Sequence, residues 1–305
     1  MELSLDRVEE ARAVLIAGPT ASGKSARAVE LAGQAERAGR MPLIVNADSM
    51  QVYDALRVLT ARPSQADERR FAHRLYGHVP PSVRYSAAAW LRDLAPVLAE
   101  AEAGRALPLI VGGTGLYFST LTKGLSTIPA IPADVRTRLS EQLAKVGPAG
   151  LHSQLQRSDP ASAATIRPTD SQRILRALEV LEATGRSLHE WRGAPLEPAL
   201  LAGANIVRLV LEPDRGVLYR RIETRVDAMV AAGAVDEVRG LLDLGLPPDL
   251  PAMKAIGVTR IASYLRGEAS LADAIAATKL DTRRYAKRQT TWFRNQMPDW
   301  ERWST

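Results

Sequence analysis

The 305-residue chain contains no cysteine. That absence alone excludes disulfides, thiolate zinc sites, iron–sulfur clusters and cysteine nucleophiles. Histidine is scarce as well: His73, His78, His152 and His189 are the whole supply, and no two stand at a metal-ligand spacing. A metal centre built on imidazoles is therefore not expected. Long apolar runs are also missing; stretches such as Leu107–Val111 fall far short of the about 18 residues that read as a membrane span. The opening Met1-Glu2-Leu3-Ser4-Leu5-Asp6 lacks the basic-then-apolar layout of a secretory signal. The expectation is a cytoplasmic protein with no membrane contact. What the chain does have is 46% apolar and 24% charged residues, the balance of a folded globular protein and not of a disordered one. Forty basic against 34 acidic side chains leave +6, which hints at an anionic partner.

Four short apolar runs read as buried strands: AVLIA (Ala13–Ala17), LIVNA (Leu43–Ala47), LPLIV (Leu107–Val111) and IVRLVL (Ile206–Leu211). They are near-continuous, without strict alternation, as suits a parallel sheet covered on both faces. Alanine-rich amphipathic segments separate them, Ser25–Ala38, Ser86–Ala103 and Leu218–Leu242, each expected to be a helix. Strand alternating with helix predicts a three-layer α/β core. The middle differs: no convincing strand, but helical pieces punctuated by Pro129, Pro132, Pro148, Pro160, Pro168, Pro195 and Pro198. Because the last apolar strand follows this stretch, residues 125–200 are expected to be a helical insertion. It would divide a core made of residues 1–124 and 201–305.

The first strand runs directly into Gly18-Pro19-Thr20-Ala21-Ser22-Gly23-Lys24-Ser25, a G-x-x-x-x-G-K-[ST] phosphate loop that opens a helix. Its glycines let the backbone curl so that N–H groups face phosphate oxygens, and the helix N-terminus adds partial positive charge. Lys24 neutralises a terminal phosphate, and the Ser25 hydroxyl is the expected ligand of a Mg²⁺ cofactor. The loop specifies a polyphosphate without specifying ATP. The expected fold class is thus α/β: a P-loop NTPase-like parallel sheet with helices on both faces and an inserted helical domain.

Ligands in such sheets sit beyond the carboxyl ends of the strands. The second strand runs into Asn46-Ala47-Asp48-Ser49-Met50-Gln51-Val52-Tyr53, which brings Asp48 towards the phosphate loop. Asp48 can be read as a magnesium-side aspartate, as a general base, or as a plain helix cap. The third strand ends in Val111-Gly112-Gly113-Thr114-Gly115-Leu116-Tyr117, where three glycines permit close approach of backbone and Thr114 offers a hydroxyl. Two basic helices follow. Asp170-Ser171-Gln172-Arg173-Ile174-Leu175-Arg176 begins a capped helix ending before Gly185, with Ile174, Leu178 and Leu181 as its apolar stripe and Gln172, Arg173 and Arg176 on another face. Near the end of the chain, six cations from Lys279 to Arg294 meet one carboxylate, Asp281. Arg284, Lys287, Arg288 and Arg294 would lie along one broad side, a tract suited to a nucleic-acid backbone.

Taken together these segments resemble the bacterial-type tRNA dimethylallyltransferases. The match is carried by GPTASGKS (Gly18–Ser25), NADSMQVY (Asn46–Tyr53), Tyr85-Ser86-Ala87, LIVGGTGLY (Leu109–Tyr117), DSQRILRALEV (Asp170–Val180), RIETRVDAM (Arg221–Met229), MKAIGV (Met253–Val258) and YAKRQTTWFR (Tyr285–Arg294), in that order and over nearly the whole chain. The resemblance implies transfer of a dimethylallyl group from dimethylallyl diphosphate to the amino group of the adenosine just 3′ of the anticodon, in tRNAs reading U-starting codons. It implies Asp48 as the base, with Lys24, Thr114 and Arg225 completing the catalytic group, and residues 18–25 holding the donor. It further implies contacts to the tRNA anticodon stem-loop from Asp48, Ser49, Met50, Gln51, Thr114, Arg136, Gln172, Arg173, Ile174, Leu175, Arg176, Lys287, Arg288 and Arg294. Nothing in the sequence calls for a partner subunit, so a monomer is expected. Two stretches depart from the family pattern, Leu59–Pro63 and Pro80-Pro81-Ser82-Val83, and neither touches the implied chemistry. Rival readings are prenylation of a free adenine nucleotide, a small-molecule kinase, and an ATP-dependent RNA-binding module.

Overall fold

A computed structural model describes residue 7 and residues 10–192, 196–203 and 205–304. The four apolar runs are strands, and two short edge strands join them. In chain order the elements are β1 (Ala13–Ala17), α1 (Lys24–Arg37), β2 (Pro42–Asn46), α2 (Gln65–Arg70), β3 (Ala72–Arg74), α3 (Ala87–Ala103), β4 (Leu107–Gly112) and α4 (Gly115–Lys123). Next come β5 (Leu125–Ser126), α5 (Ala133–Ser158), α6 (Pro160–Thr165), α7 (Ser171–Thr184), α8 (Leu188–Arg192) and β6 (Leu196–Glu197). The chain finishes with β7 (Ile206–Leu211), α9 (Arg215–Ala231), α10 (Ala234–Asp243), a 3₁₀ turn (Ala252–Lys254), α11 (Val258–Leu265), α12 (Leu271–Gln296) and β8 (Glu301–Trp303). Among the described residues no helix is long and apolar enough to cross a membrane.

Chain contacts separate two compact units, residues 1–122 with 200–305, and residues 123–199. In the first unit the strands pair in parallel in the order β3-β2-β4-β1-β7-β8. β1, β2 and β4 are buried at every position, which is why their sequences do not alternate. One face packs on α3, α4 and the end of α12, with Trp90, Leu94, Phe118 and Phe293 buried there. The other packs on α1 through Ala28, Leu31, Ala32 and Ala35. This is the expected P-loop NTPase-like architecture. Because β4 lies between β2 and β1, the chain after each of these three adjacent strands emerges at one place. The main chain closes beside the sheet too: the Leu201 N–H donates to the Leu121 carbonyl at 3.1 Å.

Three local expectations need correction. The run Leu218–Leu242 is two helices, not one, because Gly233 turns into the left-handed region at φ 98° and starts α10. β3 and β8 were not foreseen, since three residues carry too little pattern to register as strands. In the second unit, β5 and β6 form a two-residue antiparallel ladder where no strand was expected. That unit is otherwise helical. α5 is broken at Gly147 (φ 70°, ψ 175°), so that Leu139 from its first half and Leu151 and Leu155 from its second pack on Ile174, Ala177 and Leu178 of α7. α7 is capped as its sequence predicts: Asp170 accepts from the Arg173 N–H at 3.1 Å, and Gly185 closes it at φ 68°.

Candidate active site

The phosphate loop leaves β1 at Ala17 and enters α1 through Gly23, whose φ of 92° favours glycine. Gly18 is equally constrained, by space: a Cβ there would come within 2.9 Å of both the Leu211 carbonyl oxygen and Ser22 Oγ. No side chain caps α1 and no acidic residue occupies its first turn, so its leading N–H groups remain available to an anion. Lys24 Nζ donates to the Pro19 carbonyl at 3.0 Å. Burial draws the Lys24 ammonium down from 10.5 to about 8; the Asp48 carboxylate opposes that shift and the Arg225 guanidinium adds to it.

Asp48 stands on the turn after β2. The buried side chain of Asn46 fixes that turn, its Oδ1 accepting from the Asp48 N–H at 2.8 Å and its Nδ2 donating to the carbonyls of Asp48 and Leu75 at 3.0 Å each. Asp48 Oδ1 accepts from the Met50 N–H at 3.0 Å. No helix begins there, so the plain helix-cap reading gives way to an Asx turn. The other oxygen, Oδ2, lies within 3.3 Å of where a Cβ on Gly113 would sit. Lys24, Ser25, Asp48, Gln51, Tyr76 and Arg225 share the lining of one pocket of about 170 Å³. The Asp48 charge is felt around it: burial first and Asp48 second raise the phenols of Tyr76 and Tyr285.

The glycines of the third strand end each answer to a different neighbour. A Cβ on Gly112 would fall 1.9 Å from the Ala47 carbonyl oxygen, one on Gly113 would fall 2.4 Å from Gln289 Nε2, and one on Gly115 would fall 2.1 Å from the Trp292 ring. Thr114 sits between them, with its hydroxyl committed to the neighbouring turn. Its Oγ1 accepts from the Ser49 N–H at 2.9 Å and donates to Ser49 Oγ at 3.2 Å. Thr114 thus holds the Asp48 turn in place and is not among the residues lining the pocket. Gln51 donates through Nε2 to the Thr60 carbonyl at 2.8 Å. Met50 packs into the apolar cluster around Val52 and Leu56.

Arg225 reaches the pocket from α9, whose Leu218, Ile222 and Val226 form the buried stripe beneath it. Burial lowers its guanidinium pKa, and Asp48 opposes the shift. Arg221, one turn earlier, donates to the Ser22 carbonyl at 3.4 Å. Sequence reasoning passed over Arg221, although its four-residue spacing from Arg225 was legible. It also passed over Gln289, Tyr76 and the loop anchor Glu237. Glu237 accepts the consecutive N–H groups of Arg57, Val58 and Leu59 at 2.6, 2.7 and 2.7 Å.

Hard oxygen donors suit Mg²⁺, and the pocket offers the Ser25 hydroxyl and one carboxylate. Among the described residues no three histidine or acidic side chains gather to hold a metal on their own. The donor set therefore fits Mg²⁺ that arrives with a phosphate, not one caged by protein.

The basic tract of α12 is less uniform than its sequence suggests. Lys279 pairs with Asp227 at 2.6 Å, Arg283 with Glu223 at 3.2 Å, Arg284 with Asp281 at 3.7 Å and Arg294 with Glu212 at 2.8 Å. Lys287 and Arg288 pair with no carboxylate among the described residues and line an open groove of about 320 Å³ with Thr291 and Trp292. In the second unit Arg136 and Arg176 converge on the buried Glu179 carboxylate, at 3.5 and 3.8 Å, while Arg173 pairs with Asp170 at 3.5 Å. Gln172 and Arg173 are exposed and Leu175 is half-buried. Ile174 is fully buried, which removes its side chain from the nucleic-acid contacts expected of it.

Residues 51–296 match the family model described as IPP transferase. A tRNA dimethylallyltransferase of Rhizobium johnstonii is 53% identical over 292 residues, covering 95% of this chain and 96% of that one. The enzyme of that name from Chelativorans sp. is 54% identical over 291 residues, covering 95% and 97%. Among solved structures, a tRNA isopentenylpyrophosphate transferase from Bacillus halodurans superposes with a TM-score of 0.65 at 34% identity, over 96% of this chain and 89% of that one. A eukaryotic dimethylallyltransferase acting on tRNA gives a TM-score of 0.77 at 25% identity, over 96% and 73%.

Proposed function

The chain belongs to the IPP transferase family, and from that membership we infer that it is a tRNA dimethylallyltransferase. It moves the five-carbon group of dimethylallyl diphosphate to the exocyclic amino group of the adenosine 3′-adjacent to the anticodon, in tRNAs reading codons that begin with U. The observation that carries the chemistry is one juxtaposition: the Asp48 carboxylate shares a small pocket with Lys24 and Arg225.

An adenine amino group is a poor nucleophile, because its lone pair is delocalised into the ring. As nitrogen bonds to the allylic carbon it must lose a proton, and Asp48 is the group that takes it. On the donor side the allylic carbon–oxygen bond breaks and its electron pair leaves with diphosphate. The loop N–H groups, Lys24 and Arg225 stabilise that growing charge. Mg²⁺, held by the Ser25 hydroxyl and by the diphosphate itself, would add Lewis-acid stabilisation to the same leaving group.

The acceptor base must leave its loop to reach the pocket, which is the logic of base flipping. Lys287 and Arg288 are our candidates for the RNA backbone near the core. Gln172, Arg173, Arg176 and Arg136 are the candidates on the helical unit, for which we propose the role of gripping the anticodon arm. The decisive experiment offers isotope-labelled dimethylallyl diphosphate with either AMP or total tRNA, followed by nucleoside mass spectrometry. Label in one tRNA adenosine supports the assignment, and label confined to AMP overturns it. Consumption of ATP without prenyl transfer points to a kinase instead.

A further inference from the structure

Gln289 of α12 is buried, with 6% of its surface exposed. Its Oε1 accepts from the Thr20 N–H at 2.9 Å, and its Nε2 donates to the Gly113 carbonyl at 2.9 Å. One amide therefore touches two turns: the phosphate loop after β1, and the glycine turn after β4, against which Asp48 Oδ2 lies. The orientation of that amide is unambiguous, since a peptide N–H can only donate and a carbonyl oxygen can only accept. Its position is fixed from both sides along the helix, by the buried Ala286 and Phe293 and by the Trp292 ring seated where Gly115 has no side chain.

This arrangement sets a narrow requirement on the side chain. A hydrocarbon at position 289 takes the partner from the buried Gly113 carbonyl and from the half-buried Thr20 N–H, and a carboxylate turns a negative oxygen towards the Gly113 carbonyl. Only a group with one acceptor and one donor at that reach satisfies both turns. We propose that Gln289 is a positioning residue for the transfer: it fixes the aim of the diphosphate-holding N–H groups relative to the Asp48 carboxylate. It touches neither substrate, and it acts through Thr20 and Gly113. The proposal rests on the reading that this loop holds the donor diphosphate.

The test compares Gln289→Leu and Gln289→Glu with the wild-type protein. Gln289→Leu should raise the KM for dimethylallyl diphosphate by about tenfold, the value of a lost buried hydrogen-bond network, while the KM for tRNA stays within about twofold. Its calorimetric affinity for inorganic diphosphate with Mg²⁺ should fall by a similar factor. Gln289→Glu supplies a second readout, of use also if the leucine variant fails to fold. A protonated glutamic acid restores the pattern of one donor and one acceptor, and burial raises its pKa. Its kcat/KM, divided by the wild-type value at each pH so that Lys24 and Asp48 cancel, should rise as pH falls from about 8 to 6. An unmoved donor KM in folded Gln289→Leu, equal shifts of donor and tRNA KM, or a flat ratio for Gln289→Glu would each overturn the positioning role. Were the wild-type protein to prenylate no tRNA while Gln289→Leu still lost diphosphate affinity, the assigned reaction would fail and the positioning role would stand.

Discussion

Lys24 gives the sharpest quantitative test, because its ammonium sits at about 8 in the unliganded pocket instead of 10.5. At pH 8 about half of the molecules then hold a neutral lysine, and at pH 7 about one in ten. A bound diphosphate returns negative charge to the pocket and pulls the proton back on. Donor binding should therefore take up about 0.5 proton at pH 8. The donor contributes little at that pH, since its terminal phosphate loses its second proton near about pH 6, by analogy with phosphate esters; at pH 7 the about 0.1 proton it releases cancels the about 0.1 that Lys24 takes up. Calorimetric titration of dimethylallyl diphosphate, repeated in buffers of different ionisation enthalpy, reads the proton count directly. Above pH 8 the affinity should weaken by up to about tenfold per unit until the ordinary lysine range is reached. The sign for stability is the opposite one. Between pH 8 and 10.5 the unfolded chain binds more protons at this site than the folded one, so Lys24 adds stability to the unliganded protein as pH rises through that window. Saturating donor should remove that gain. Lys24→Met should abolish the uptake; wild-type binding at pH 8 with no proton uptake, or equal uptake in Lys24→Met, refutes the reasoning.

Asp48→Ala should lower turnover by about 10² or more with tRNA affinity nearly intact, by single-turnover assay and filter binding; normal turnover removes the base role. Glu237→Ala strips three consecutive peptide N–H groups of a charged acceptor and should cost about 3 kcal/mol in urea unfolding, with a loss under about 1 kcal/mol contradicting the anchor. Replacing Lys287 and Arg288 together with alanine should reduce the slope of log affinity for tRNA against log salt by about 1.5. An unchanged slope places both residues off the nucleic acid.

The core of the sheet was legible because burial on both faces leaves an unmistakable signature: Leu107–Gly112 admits no exposed position and reads as strand without help from its neighbours. The loop at Gly18–Ser25 was legible for a different reason, that its chemistry dictates residue types one by one. Gly233 was passed over because valine and alanine flank it, and a single glycine inside a helical pattern is ambiguous until its φ is known. Thr114 and Ile174 were placed in the right segments, but the partners of their side chains were not legible. One hydroxyl turned to Ser49, and one apolar side chain followed its own stripe into the core of the helical unit. Gln289 could not be singled out at all. Its value lies in which two turns it meets, and those lie 269 and 176 residues away along the chain. The pairing of four α12 cations with acidic partners was hidden likewise, since most of those partners come from other elements.

The hydrogen bond between Leu121 and Leu201 has a consequence for how this protein can be altered. The polypeptide leaves the sheet on a long excursion and comes home within one bond of its departure, so the excursion is a detour with a single doorway. Lengthening, shortening or exchanging what lies beyond that doorway breaks no pairing of the six-stranded sheet, and a longer loop between fixed ends adds only about 0.6 kcal/mol of closure entropy per doubling. The fold thus keeps the phosphate loop and the Asp48 turn on the unaltered side of a junction where a different helical module could be spliced.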